Sequence, residues 1–369
     1  MKATRNIVSS PKLNLSAGLG VLMIGIGRNE YYPTASSDHR SLCGILLPSF
    51  SFLAPNQSWS LQYSTDIILP SIEQWRNQLI TTNPVYLTAG NPDLKHSYVH
   101  LIEGEFNTRK GNNSLDCTAD LSIIERTIAN KSTYYTVATY LPRYDYTIEP
   151  QNTLTTYENM GATIRLDAKL NYSTRFQRIK TTLRIAPAFN YGVTPSFVNQ
   201  NNCISYNYYP SLLVGLTNNT FKSVRLTLSG QSGIILANNT LGQSDRMLRN
   251  SLNVDLNSKF GKRIFINGRY GLTAYKNLAG TIPSQINQTL DVVVGTSFFK
   301  RRLELSISGV DLLNNTQLFS SSVRENYILN SWRSCYGRYF AINLAWKFYK
   351  SKSGLTSPVG ALLETGKLQ

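Results

Sequence analysis

His96 and His100 stand four residues apart, Asp93 lies just upstream, and an Asp38-His39 pair sits nearer the N-terminus. On a helix, histidines at i and i+4 share a face and chelate a metal. On a strand rising about 3.4 Å per residue the same two are well separated along one face and hold no common ion. An Asp beside a His can activate a water, but no third group at a useful spacing orients either pair. There is no GxxxxGK[S/T] phosphate loop, no GxSxG elbow and no HExxH helix. Cys43, Cys117, Cys203 and Cys335 are widely spaced and form no CxxC, so they read as neither a metal cluster nor a disulfide framework. The residue types point to no enzyme and no cofactor.

A second set of chemically capable residues is Arg165, Asp167, Lys169, Arg184, Arg225, Asp255, Lys259, Arg269, Asp291 and Glu304. Their signs are mixed, which suits ion pairs on a wet wall better than a site for one charged solute. What makes them informative is their spacing. Arg165, Asp167 and Lys169 alternate with Ile164, Leu166, Ala168 and Leu170. Asp255 alternates with Val254 and Leu256, and Asp291 with Leu290 and Val292. Near the C-terminus Leu303, Leu305 and Ile307 alternate with polar residues, and Phe340, Ile342, Leu344, Trp346 and Phe348 repeat the pattern. Period two is the side-chain period of a β-strand. Apolar-out, polar-in strands of about ten residues are what an outer-membrane β-barrel uses to cross a bilayer.

The composition agrees. Charged residues make up only 16% of 369, while there are 22 Tyr and 14 Phe. Mean hydropathy is −0.21, and no apolar run is long enough to span a membrane as a helix. The net charge of +16 raises the question of nucleic acid. Its placement answers against it, because Arg109-Lys110, Lys262-Arg263 and Lys300-Arg301-Arg302 sit in turns between strands rather than on a basic helix.

The fold read from this pattern is all-β: a transmembrane, antiparallel, up-and-down β-barrel with about 14 strands. The first strand covers 12–26 and the last ends at about 348. Residues 1–349 form the barrel and 350–369 a C-terminal tail. Connections after the even-numbered strands are tight. Those after the odd-numbered strands are long and polar, which puts both termini on the periplasmic side. Lys2, Arg5 and Lys12 faintly resemble a secretory signal, but the alternation from Leu13 onward argues for a strand.

Two segments carry a family resemblance. One is Pro70-Ser71-Ile72-Glu73-Gln74, then Asn83-Pro84, then Gly90-Asn91-Pro92-Asp93-Leu94-Lys95. The other is Asp311-Leu312-Leu313-Asn314, followed by Gly337-Arg338-Tyr339-Phe340. Both resemble the barrel region of Bacteroidetes-type TonB-dependent outer-membrane receptors. The resemblance implies a barrel of twenty-two strands closed by an N-terminal plug, of which this chain looks like the C-terminal part, without plug or first strands. It also implies residence in the bacterial outer membrane and uptake of a small nutrient, such as a siderophore or glycan. Its partners would be outer-membrane lipid and, where a plug domain is present upstream, the TonB energy-coupling complex. A passive pore or surface-binding barrel without energy coupling is the alternative. Candidate ligand contacts are Gln74, Asn83, Asn91 and Lys95 in the loops, and Arg165 and Arg184 on the lumen wall. Pro70, Pro84 and Pro92 fix φ and Gly90 admits positive φ, so the first segment reads as a shaped external loop.

This reading predicts a polarity of tolerance. Lys in place of Ile164, Leu166, Val292, Val294, Leu305 or Leu344 should cost about 2–4 kcal/mol at the bilayer midplane, and much less at Asn253 or Ser306. Denaturant titration in vesicles measures it, and equal costs on the two faces would contradict a barrel.

Overall fold

The computed structural model describes residues 2–10, 13–32, 35–54, 58–198, 201–221, 223–242, 244–261, 263–278, 284–299, 302–315, 317–323 and 328–346. The expected tail at 350–369, Phe348, Lys262, Lys300 and Arg301 lie outside them.

In chain order the first elements are β1 (Lys2–Ser10), β2 (Leu13–Tyr32), β3 (Ala35–Leu53), β4 (Trp59–Ile68), the short helix α1 (Ile72–Trp75), β5 (Leu79–Ile80), β6 (Tyr86–Ala89), β7 (Ser97–Lys110) and β8 (Asn113–Glu125). Then come β9 (Ile128–Tyr134), β10 (Thr139–Leu141), β11 (Tyr146–Ile148), β12 (Thr153–Asn159), β13 (Thr163–Phe176), β14 (Thr181–Val198), β15 (Asn201–Phe221) and β16 (Val224–Asn239). The last are β17 (Ser244–Phe260), β18 (Ile264–Asn277), β19 (Gln285–Phe298), β20 (Leu303–Val310), β21 (Gln317–Val323), β22 (Ile328–Ser334) and β23 (Tyr339–Trp346).

The wall is an antiparallel meander in which each strand pairs with the next wall strand, in the order β1, β2, β3, β4, β7, β8, β13 through β20, and β23. Nearest-neighbour pairing is what a bilayer demands, since a bare amide or carbonyl in hydrocarbon costs several kcal/mol. The register carries one face intact around the wall. Ile164 lies opposite Val193, Leu166 opposite Tyr191, and Val294 opposite Ile307, while Leu305 lies opposite Leu344. This outer face is solvent-exposed and apolar, with Leu344 69%, Ile342 75% and Val294 45% accessible. Apolar side chains left this open need lipid as their solvent.

The inner face carries the polar set. Ser306 is on it, opposite Asn343 and Gly295, yet it is 1% exposed and its hydroxyl has no partner among the described residues. The cause is Phe265, whose ring crosses Gly295 so closely that an added Cβ would meet it at 2.2 Å. Ser306 is therefore not a position where Lys is harmless, and Asn253 is the better control.

The tight connections expected on one side are present: 54–58, 111–112, 177–180 and 261–263 join adjacent wall strands. The opposite side differs from expectation. Of the connections there, 69–96, 126–162 and 311–338 are long, whereas the β2–β3 and β14–β15 ladders run on to Tyr32 opposite Ala35 and Val198 opposite Asn201. Outside the bilayer a ladder satisfies its own backbone, so extending a hairpin serves as well as looping. Asp38 and His39 accordingly lie in β3, in register with Asn29 and Arg28, and not in a loop.

The sequence reading missed β1. The sheet groups nineteen strands, of which β5, β6, β9 and β12 stand outside the wall, leaving fifteen. It is open: among the described residues β1 and β23 pair with β2 and β20 alone. With fifteen alternating strands, β1 and β23 run parallel, so closure between them would make a parallel seam. β23 on the free edge of β2 would instead give an antiparallel seam of fourteen strands, in the place β1 now holds. The β1 ladder slips by one residue between Asn6 and Val8, a break that makes it the weaker occupant. We expect a variant of this chain lacking residues 1–10 to insert into vesicles and keep heat-modifiable gel migration. Loss of insertion would show that β1 is an obligate part of the wall.

Candidate functional site: the lumen wall and its cap

The inner face is organised by pairs. Arg269 on β18 bonds Asp255 on β17 at 2.8 Å, and the register sets Asp291 of β19 beside Arg269. Arg184 donates Nε to Asn171 Oδ1 at 2.6 Å, and Asn190 donates to Asp167. Charge is thus held by neighbours across strands, each such pair contributing roughly 0.2–1 kcal/mol. Arg165 is on the same face, opposite Gly192, while Arg184 is eight residues away along β14. At about 3.4 Å per residue that is roughly 27 Å, so the two arginines do not form one site.

The long connections 69–96 and 126–162 fold into a single cap at one end of the wall. Beyond Ile164, β9 takes the place beside β14 and pairs with it in parallel, Lys131 opposite Phe197 and Ser132 opposite Val198. From β9 the small sheet continues through β12 to β6 and β5. One face buries Leu87, Ala89 and Leu154 with Ile148 from the β10–β11 hairpin, and Tyr135, Tyr144 and Tyr146 pack around them. On that side Lys131 bonds Glu158 at 2.8 Å and lies over the Phe197 ring.

The family-like segment is the joint of this cap. Ser71 caps α1: its hydroxyl accepts from Gln74 N, and Gln74 Oε1 accepts from Ser71 N. Gly90 packs on the turn that follows, where an added Cβ would meet Arg76 O at 2.2 Å and Glu73 O at 2.6 Å. Its φ is not positive, so glycine is required by close backbone approach and not by a left-handed conformation, which corrects the sequence reading. Asn91 N donates to Gln74 O, and Asn91 Nδ2 reaches Tyr157 O. Asn83 Oδ1 accepts from Val85 N, an Asx turn that starts β6. Lys95 is tied through its backbone: Asn159 accepts from Lys95 N at 2.7 Å and donates to the carbonyls of Lys95 and Arg126. The second family-like segment is also a joint. Asp311 and Asn314 adopt positive φ, Asp291 accepts from Asp311 N, and Asn314 accepts from Arg338 N.

Of the six candidate ligand contacts, Gln74, Asn83, Asn91 and Lys95 belong to the cap and Arg165 and Arg184 to the wall. The side chains of Gln74, Asn83 and Asn91 are engaged in building the cap. Asn159 and Arg126 were not singled out from sequence; asparagine is common in this chain, and only the fold shows which one bridges two connections.

His96 and His100 face different partners. His100 Nδ1 meets the Tyr63 hydroxyl at 2.9 Å, and its Nε2 lies 3.5 Å from Glu125. His96 lies outside the wall and takes a hydrogen bond from Arg126 at 3.4 Å. Partial burial, then the nearby guanidinium, lowers the His96 pKa below its usual value. A neutral His96 accepts from Arg126; a protonated one faces a second cation.

A family model described as the outer membrane protein beta-barrel family matches residues 12–346. No curated protein matches the chain. Similar solved structures include a crystal structure of the Pseudomonas putida toluene transporter TodX, at 9% identity, covering 90% of this chain and 87% of that one, with a TM-score of 0.27. A deltaS2 mutant of the TodX monoaromatic hydrocarbon channel has 9% identity, coverage of 85% and 86%, and a TM-score of 0.28. Similarity at that level carries no argument for this chain's function.

The cap joint makes a specific prediction. Asn159→Ala removes three bonds and should cost the cap about 1–2 kcal/mol. External protease should then nick 69–96 and 126–162 faster in intact cells, while the turns at 111–112 and 261–263 stay uncut. Unchanged nicking would show that the cap is held elsewhere.

Proposed function

We propose that this chain, which belongs to the outer membrane protein beta-barrel family, forms the wall and external cap of a receptor that imports a small nutrient. Its place is the bacterial outer membrane, with lipid as the solvent of its outer face. The observation that carries the proposal is the cap itself. Two connections with twenty-nine residues of sequence between them, 97–125, are stitched into one packed body beside β14. A passive hole gains nothing from such a body at its mouth, whereas a receptor needs a shaped surface where ligand arrives. The order of the Pro70–Gln74, Asn83-Pro84 and Gly90–Lys95 segments, similar to that of TonB-dependent receptors, supports energy coupling through a plug and the TonB complex.

A second reading has one observation in its favour. The charges of the described inner face are mixed in sign, with Asp255 and Arg269 bonded across strands, and a wall without a strong net field suits an unselective wet channel.

Uptake separates the two. Cells carrying the whole protein would be supplied with a ferric siderophore, an oligosaccharide or cobalamin, with and without TonB. The proposal expects uptake of one of them to saturate and to be lost without TonB. Uptake that rises linearly with concentration and ignores TonB would establish the passive pore instead.

A further inference from the structure

The connection between β20 and β23 folds back onto the wall, at the ends of β17, β18 and β19. Its hairpin, β21 paired with β22, places Phe319 against Met247 and Tyr275, and all three are nearly buried, at 4%, 2% and 8% exposure. The register decides where this contact lies. Met247 is two strand positions from Arg249, which pairs with Tyr275, and Thr273 pairs with Asn287. These positions share a face with Asp255 and Arg269, and the opposite face carries Leu252, Val254 and Leu272. Phe319 is therefore packed on the polar, lumen side of the wall.

It is held there by more than its ring. Asn287 on β19 donates Nδ2 to Phe319 O at 2.6 Å and accepts from Phe319 N at 3.0 Å. One side-chain amide thus satisfies both backbone groups of a single residue, as a neighbouring strand would. The Phe319 ring sits 5.0 Å from Tyr275 in an edge arrangement and 5.3 Å from Trp332 of β22. Beyond this anchor one face of the hairpin is open, with the exposed Ser320 and Ser331 hydroxyls 2.8 Å apart, while Ser321 Oγ and Asn330 Oδ1 on the face shared with Phe319 are buried. Seven residues of strand reach roughly 24 Å, enough to extend well across a lumen of this strand number.

We propose that the β21–β22 hairpin is a constriction at the mouth of the lumen, latched by Asn287 and by the seat that Met247 and Tyr275 offer to Phe319. The latch is the place where the hairpin is fixed to the wall, and breaking it frees the hairpin to leave the permeation path. Polar amide bonds and one aromatic anchor make a reversible fastening: each is strong when dry and is readily replaced by water when the ring lifts. The inference does not depend on the uptake reading, because either a receptor or a pore would be narrowed by it.

The test uses the full chain with its four cysteines changed to serine and Met247→Cys introduced under Phe319. A membrane-impermeant maleimide is added from outside, in cells and in detergent-folded protein. Met247→Cys should be protected with the latch intact. Adding Asn287→Ala or Phe319→Ala should raise its labelling rate at least tenfold, while Asn253→Cys, on the same face and away from the latch, labels at one rate in all backgrounds. Phe319→Leu, which keeps an apolar side chain and both backbone bonds, should label at an intermediate rate. Replacing 317–334 with a short glycine-serine link should then raise single-channel conductance in planar bilayers. Equal labelling of Met247→Cys with and without the latch would overturn the proposal, and so would labelling that rises equally at Asn253→Cys.

Discussion

Hydrocarbon supplies no hydrogen bonds, so each strand that crosses it must find both of its neighbours in protein. That constraint orders most of this molecule. It explains why wall strands adjacent in sequence are adjacent in space, and why the ladder from β13 to β19 keeps its register but for one shift between Asn218 and Phe221, at the β15–β16 turn. It explains why one side is stitched by tight turns. It also makes the free edges of β1 and β23 the least settled part of the wall, since nothing but protein can satisfy them within a bilayer.

A fixed register fixes the side chains. Because the period is two, a slip of one residue would trade Val254 for Asp255 on the lipid face. Charge therefore enforces register as strongly as backbone pairing does. The pair Asp255–Arg269 is worth little as an ion pair, but it is intolerable in lipid, and that asymmetry holds β17 and β18 in place.

The wall strands were legible in sequence because alternation is a local signal. Ile164 through Leu170 and Phe340 through Trp346 declare their faces without help from the rest of the chain. β1 was not legible, since Lys2 to Ser10 has no apolar alternation and becomes a strand only by borrowing the edge of β2. The cap was half legible. Proline, glycine and capping residues marked Pro70 to Lys95 as shaped, but not that Asn91 would reach Tyr157 or that Lys95 would meet Asn159. Those contacts join positions more than sixty residues apart, and no spacing rule encodes them. The Phe319 seat was illegible for the same reason: Met247, Tyr275 and Phe319 come together only when the sheet curves and a connection turns inward.

The central claim, that one face of these strands meets lipid and the other lines a lumen, is tested most directly by a nitroxide scan along β17. A spin label would be placed in turn at each position from 250 to 257 in vesicles, and its accessibility to oxygen compared with that to a water-soluble nickel complex. The account predicts a period of two, with oxygen maxima at Leu252, Val254 and Leu256 and nickel maxima at Ser251, Asn253 and Asp255. Accessibility without alternation, or alternation in the opposite phase, would contradict it.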